Sequence, residues 1–260
     1  MKKLLICLFL CALLLTACVS QPEITDPSAT VPSSTEPATT TPTEPPTTVP
    51  TEPPHSDLCI PGVDVNDVIG WFCEVNLAAE FVHSGDPSYL QKWVSPIFYY
   101  VQGNPTNQDL AVLETFTQWL NTLEGFPGIS ETDDPIQANL NIHFCEQSEM
   151  LSLMGDWTYD LDGAVTFWYN DNRIDNAIIC VRTDVDQQVR NSVILEELYN
   201  GLGPIQDTSL REDSLIYAGY SIPQELTIVD ELILRLLYHP NMECGMTLAQ
   251  CEEIIRNLYY

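Results

Sequence analysis

The stretch Glu196-Glu197-Leu198-Tyr199-Asn200-Gly201-Leu202-Gly203-Pro204-Ile205-Gln206-Asp207 constrains this chain more than any other. It ends a predicted helix over residues 189–201, with Gly203 just beyond as a turn position before Gln206 and Asp207. Two acids at adjacent helical positions usually mark a solvated face. Here Val193, Ile194 and Gly201 flank Glu197 at three or four residues' spacing. A half-buried carboxylate is the better expectation, and it needs partners. The turn around Ser214 is where they are expected.

Only part of the chain can build a core around that helix. Lys2 and Lys3 precede an apolar run, residues 4–15, and then Leu15-Thr16-Ala17-Cys18. A basic start, a short apolar core and small residues at the cut make a secretion signal. The Cys18 context resembles a bacterial lipobox, which implies a lipid on Cys18. The mature protein is then expected on the outer face of a cell membrane, of Gram-positive type, held there through that lipid. Residues 19–57 read as a disordered linker, with ten prolines and ten threonines between residues 20 and 56. A Thr-Glu-Pro unit recurs at Thr35, Thr43 and Thr51. Such a segment buries little apolar surface, and at about 3.1 Å per residue it reaches on the order of 100 Å. Residues 58–260 remain for one folded domain.

Charge narrows the partners. The chain has 37 acidic and 9 basic residues, and the acids are spread along it. Nucleic acid is excluded as a partner by that balance, and anionic lipid surfaces are disfavoured. Six cysteines follow Cys18: Cys59, Cys73, Cys145, Cys180, Cys244 and Cys251. None forms a C-x-x-C pair, so a zinc ribbon or a thioredoxin-type site is not expected. Cys244 with Cys251, and Cys145 with Cys180, are the disulfide candidates.

Periodicity sets out the domain. Residues 65–82 read as a helix with Val68, Phe72, Val75 and Ala79 on one face, ended by Gly85-Asp86-Pro87. Residues 96–101 form a strand. Thr106 and Asp109 make a capping box for a helix carrying Leu113, Phe116, Leu120 and Leu123. Residues 138–144 alternate cleanly between apolar and polar. Residues 164–169 and 177–181 form two more strands, joined as a hairpin through residues 170–175. After the motif helix, Thr227 and Asp230 cap one helix and Thr247 caps the last. The order is α/β (α+β): a mixed sheet, an N-terminal helix and a helix bearing the motif. Residues 138–144, 164–169 and 177–181 are expected in one sheet beside Glu197.

The motif stretch has the spacing of a metzincin zinc site, H-E-x-x-H-x-x-G-x-x-H, without its histidines. Glu197 falls at the general-base position and Gly203 at the turn. Glu196, Asn200 and Gln206 fall at the three ligand positions. Further on, Asp213-Ser214-Leu215-Ile216-Tyr217 lies where metzincins floor the metal site with a methionine turn, Ile216 standing for the methionine. Together with Leu237-Tyr238-x-Pro240-x-Met242-x-x-Gly245-Met246, these segments resemble the DUF2927 family of bacterial lipoproteins. That resemblance implies a zincin-like fold, with residues 164–169 as the strand that lines a cleft. It implies no reaction.

Zinc prefers imidazole, thiolate and carboxylate. Glu196 fits; the neutral amides Asn200 and Gln206 do not. Hard cations accept oxygen donors but want six or more, and Asp207 adds only one. No metal and no cofactor is therefore expected. The histidines His55, His83, His143 and His239 share no helical face. A G-x-S-x-G elbow is missing, and Cys145 or Cys180 beside His143 reads as a buried thiol before a nucleophile. Three functions fit. The preferred one is a degenerate metzincin-like module that binds a peptide or a cell-wall component in its cleft without cutting it. The second is a hydrolase using Glu196, Glu197 and Asp207 or an unusual metal, with Glu197 as its catalytic group. The third is a structural partner of another envelope protein.

Overall fold

The computed structural model describes residues 56–77 and 89–260. The signal segment, Cys18, nearly all of the linker, His55, His83 and the expected helix stop at Gly85-Asp86-Pro87 lie outside the described residues. Ser56 and Asp57, assigned above to the linker, already join the domain. The Ser56 hydroxyl takes the Leu58 amide at 3.2 Å, and Arg235 donates to the Asp57 carbonyl at 3.3 Å.

Helices are α1 (Val65–Leu77), α2 (Asn107–Leu120), α3 (Gln147–Met154), α4 (Gln187–Gly201), α5 (Ile228–Tyr238) and α6 (Leu248–Tyr259). Strands are β1 (Lys92–Trp93), β2 (Ile97–Gly103), β3 (Ile129–Glu131), β4 (Leu140–Cys145), β5 (Gly163–Asn170) and β6 (Arg173–Arg182). The strands form one mixed sheet in the order β1-β6-β4-β2-β3, with β5 added antiparallel to β6. The other pairings are parallel. The expected mixed α/β class is therefore present, and residues 138–144, 164–169 and 177–181 do share a sheet.

Local chemistry explains the elements. In β4 the side chains of Leu140, Ile142 and Phe144 are buried, while Asn141 and His143 are only half-buried on the other side. The β5–β6 turn is tighter than expected. Asp171 and Asn172 take φ of 49° and 61°, the left-handed pair of a two-residue hairpin, which short polar side chains tolerate best. Residues 173–175 therefore belong to β6, although Arg173 and Asp175 are exposed and carry no strand pattern.

The sheet is covered unequally. One face presents Ile97, Tyr99, Leu140, Ile142, Phe144, Ala177, Ile179 and Val181 to the main core. Leu113, Phe116 and Leu120 of α2 and Val193, Ile194 and Leu198 of α4 join them there. The other face is covered over a small cluster of Cys145, Met150, Leu161, Ala164 and Cys180, with α3 supplying Met150.

Two capping boxes set the frame. Thr106 with Asp109 opens α2, and Thr227 with Asp230 opens α5. Both aspartates are almost wholly buried, at 0% and 1% exposed, because each also bonds a second element. Asp109 takes Arg190 of α4 at 3.0 Å and Gln187 at 2.6 Å, fixing α4 to α2. Neither expected disulfide, Cys244 with Cys251 or Cys145 with Cys180, is formed.

Candidate functional site

The end of α4 is held from three sides. The Trp93 indole donates to the Gly201 carbonyl at 2.9 Å, and the Tyr238 hydroxyl donates to the Leu202 carbonyl at 2.7 Å. These bonds satisfy carbonyls that a helix end leaves without partners. Gly203 then takes φ of 136°, and a Cβ there would stand 2.6 Å from the Gln91 carbonyl oxygen. Only glycine fits. Beyond it the amides of Ile205 and Gln206 donate to the Val75 carbonyl at the end of α1. Lys92, 7% exposed, donates to the carbonyls of Leu237 and Met242 at 2.9 and 2.5 Å. Burial lowers its pKa, an effect that Cys244 and Glu243 partly offset. The 237–246 stretch singled out in the sequence is thus the seat on which the end of α4 rests.

Glu196 and Glu197 are each only 8% exposed, so they are not a solvated face. Glu197 lies against strand β5: a Cβ added to Gly163 would stand 3.1 Å from Glu197 Cγ and 2.2 Å from Val193 Cγ1. One turn on, Asn200 donates to Asp207 Oδ1 at 3.4 Å. The structure thus brings Asn200 and Asp207 together across the Gly203 turn. Oδ1 of Asn200 is buried with no hydrogen-bond partner among the described residues. Gln206 is half-buried and anchored through its backbone.

The turn after the motif is fixed by Asp230. Its carboxylate accepts the Ser214 hydroxyl at 2.7 Å, the Leu215 amide at 3.0 Å and Arg211 at 2.9 Å. It also accepts the amide and hydroxyl of Thr227, at 3.0 and 2.8 Å. The Tyr199 hydroxyl of α4 donates to the Asp230 carbonyl at 3.0 Å. The Ser214 hydroxyl, in the turn where partners for Glu197 are expected, donates to Asp230. Ile216 is 1% exposed in the floor, and Tyr217 pairs with Thr208 in a parallel bridge. Glu74 of α1 closes the loop, taking the Thr208 hydroxyl at 2.5 Å and the Ser209 amide and hydroxyl at 2.8 and 2.7 Å. Burial alone would raise the Glu74 carboxyl, but these hydrogen bonds hold it below its ordinary range.

Sequence reasoning named the motif positions but missed the groups that hold them: Glu74, Trp93, Arg211 and the second role of Asp230. Asp230 carried a signal, since a capping-box acid next to a conspicuous turn motif has spare acceptor capacity. Glu74 and Trp93 carried none, because their partners lie more than a hundred residues away.

Among the described residues, no group of three or more His, Cys, Asp or Glu is placed to hold a metal ion. His143 lies on β4 and His239 at the end of α5. His143 pairs in register with Cys180, and the Cys180 and Cys145 thiols hydrogen-bond each other. That bond, with burial, pushes the Cys180 thiol far up; the same bond draws Cys145 down against its burial. At 3% and 0% exposed, neither sulfur is open to a substrate. No helix among the described residues is long and apolar enough to cross a membrane.

A search of curated proteins finds no match. The profile of a family described as a protein of unknown function, DUF2927, matches residues 66–257. The match spans the α4 motif, the Asp230-held turn and the 237–246 seat, the three parts from which the site is assembled. The chain belongs to the DUF2927 family.

Proposed function

We propose that this protein is a surface-tethered module, lipidated at Cys18, whose degenerate metzincin-like site binds a peptide or cell-envelope component without cutting it. The carrying observation is the donor set where α4 meets its turn. Asn200 spends its amide on Asp207, and the ligand positions offer a carboxylate and two amides where zinc wants imidazoles. The support for an extended ligand is β5. Among the described strands it pairs with β6 alone, and a strand with an open edge accepts a further extended chain through its backbone. Glu197 lies directly against the start of that strand.

One observation favours a second reading, a hydrolase with carboxylate and amide donors. The buried Oδ1 of Asn200 has no partner among the described residues, and an orphaned oxygen at such a position suits a hard cation or a substrate donor. Glu196, Asn200, Gln206 and Asp207 would then be the donors and Glu197 the base.

Incubating the full chain with a mixed peptide library and weighing the products separates the two. Retention of intact peptides, in wild type and in Glu197→Gln alike, is the expected result. Cleavage that disappears in Glu197→Gln, with the melting temperature kept, overturns the binding-only reading.

A further inference from the structure

Among the described residues, the sheet face turned away from α2 and α4 is not covered along its whole length. Strand register places its side chains in rows. Tyr100 stands opposite Asn141, and Gln102 opposite His143. Ile178 of β6 continues the Asn141 row, and Trp168 of β5 stands opposite Asn176 two residues before it. Phe98 lies one step along β2 on the same side. Phe98 and Trp168 are exposed at 38% and 50%, and Tyr100, Gln102, Asn141 and His143 are half-buried. The helix α3 packs on this face around Cys145 and Cys180, with Ile178 partly buried against that cluster.

We propose that this open face binds a neutral glycan chain, Phe98, Tyr100 and Trp168 offering ring faces and Gln102, Asn141 and His143 offering hydrogen bonds. The polar groups are organised in advance. The Gln102 amide donates to Asn141 Oδ1 and reaches His143 Nε2, both at 3.3 Å. Gln102 Oε1, the Asn141 amide nitrogen and the second imidazole nitrogen are left to meet hydroxyls. Burial lowers the His143 pKa, although Glu149 at the border opposes this, so the ring is neutral at neutral pH.

Charge selects among ligands. The chain carries 37 acids against 9 bases, yet none of these six side chains is acidic or basic at neutral pH. An anionic polymer is repelled by the surrounding field, and a cationic one is drawn to the acids elsewhere. An apolar partner would leave the amides without bonds. A polymer of neutral rings with vicinal hydroxyls satisfies both the ring faces and the amides. The site lies on the opposite side of the sheet from Glu197 and does not depend on what occupies the α4 cleft.

Calorimetric titration of the full chain with a β-1,4-linked N-acetylglucosamine hexamer, and with a glucose hexamer of the same linkage, tests it. Saturable binding of at least one hexamer is expected. Trp168→Ala and Asn141→Ala should each weaken it about tenfold, the scale of one lost ring or amide contact. Trp168 is exposed, so its variant reports even where Asn141→Ala fails to fold. No saturable binding of either hexamer overturns the proposal, as does binding that Trp168→Ala leaves unchanged. Capture of a synthetic peptide of residues 20–56 on this face, with no sugar binding, overturns it in favour of the chain's own linker.

Discussion

The Ser214 hydroxyl donates to Oδ1 of Asp230 at 2.7 Å, and this bond fastens the turn below the motif helix to the start of α5. The same oxygen holds Arg211, which is 7% exposed. Asp230→Asn therefore removes the buried counter-charge of Arg211, leaves it only the exposed Asp213 at 3.1 Å, and weakens the α5 cap. Breaking one side of a buried pair costs about 3–5 kcal/mol. Urea unfolding of the variant should show a loss on that scale, while Asp213→Asn, whose side chain is 68% exposed, should show little.

Two glycines close to each other in the motif should behave differently. Gly203→Ala forces a side chain into positive φ and against the Gln91 carbonyl at 2.6 Å. Strain of that kind costs about 1–3 kcal/mol before the clash is added. Gly201→Ala meets Val165 Cγ2 only at 3.3 Å, and within a helix alanine is favoured over glycine by about 1 kcal/mol. Thermal melting should place Gly203→Ala well below wild type and Gly201→Ala close to it.

Glu74 gives a pH signature. Its folded-state pKa lies below the ordinary 4.5, so its contribution to stability is present above that value. The contribution is lost as pH falls through the folded-state value. Glu74→Gln should be less stable than wild type at neutral pH, and the two should converge below about pH 4.5 in melting experiments. A gap that stays constant down to acid pH would contradict the bonding of Glu74 to the Thr208–Ser209 loop.

Imidazoles introduced at Glu196, Asn200 and Gln206 should create metal binding if the proposed metzincin-like spacing holds. Glu196→His, Asn200→His and Gln206→His combined place three zinc-preferring donors at metzincin spacing. The triple variant should take up about one zinc per chain and melt higher with zinc than without it. Zinc titration followed by calorimetry checks this, and failure of a folded triple variant to bind would show that the turn does not bring Gln206 to the helix.

The legible parts of the fold were those written in local pattern. The alternation of Leu140, Ile142 and Phe144, the caps at Thr106 and Thr227 and the stop at Gly203 each act within a few residues. The short strands β1 and β3 escaped notice because two or three residues carry no period, and α3 because it buries only Met150. At the site, the motif helix and its glycine turn were legible from spacing, but the burial of Glu196 beside Glu197 was not. The packing of Glu197 against β5 at Gly163 was not legible either, because it joins residues distant in sequence. The thiols of Cys145 and Cys180 were rightly brought together, yet strand order alone gives no bond: His143, not Cys145, stands opposite Cys180.

We propose that the α4 motif keeps metzincin spacing while giving up the metal. Elemental analysis of the purified full chain, paired with melting in the presence and absence of a strong chelator, tests it most directly. The account predicts no stoichiometric zinc and a melting temperature that the chelator does not move. One tightly bound metal per chain, whose removal lowers the melting temperature, would contradict it.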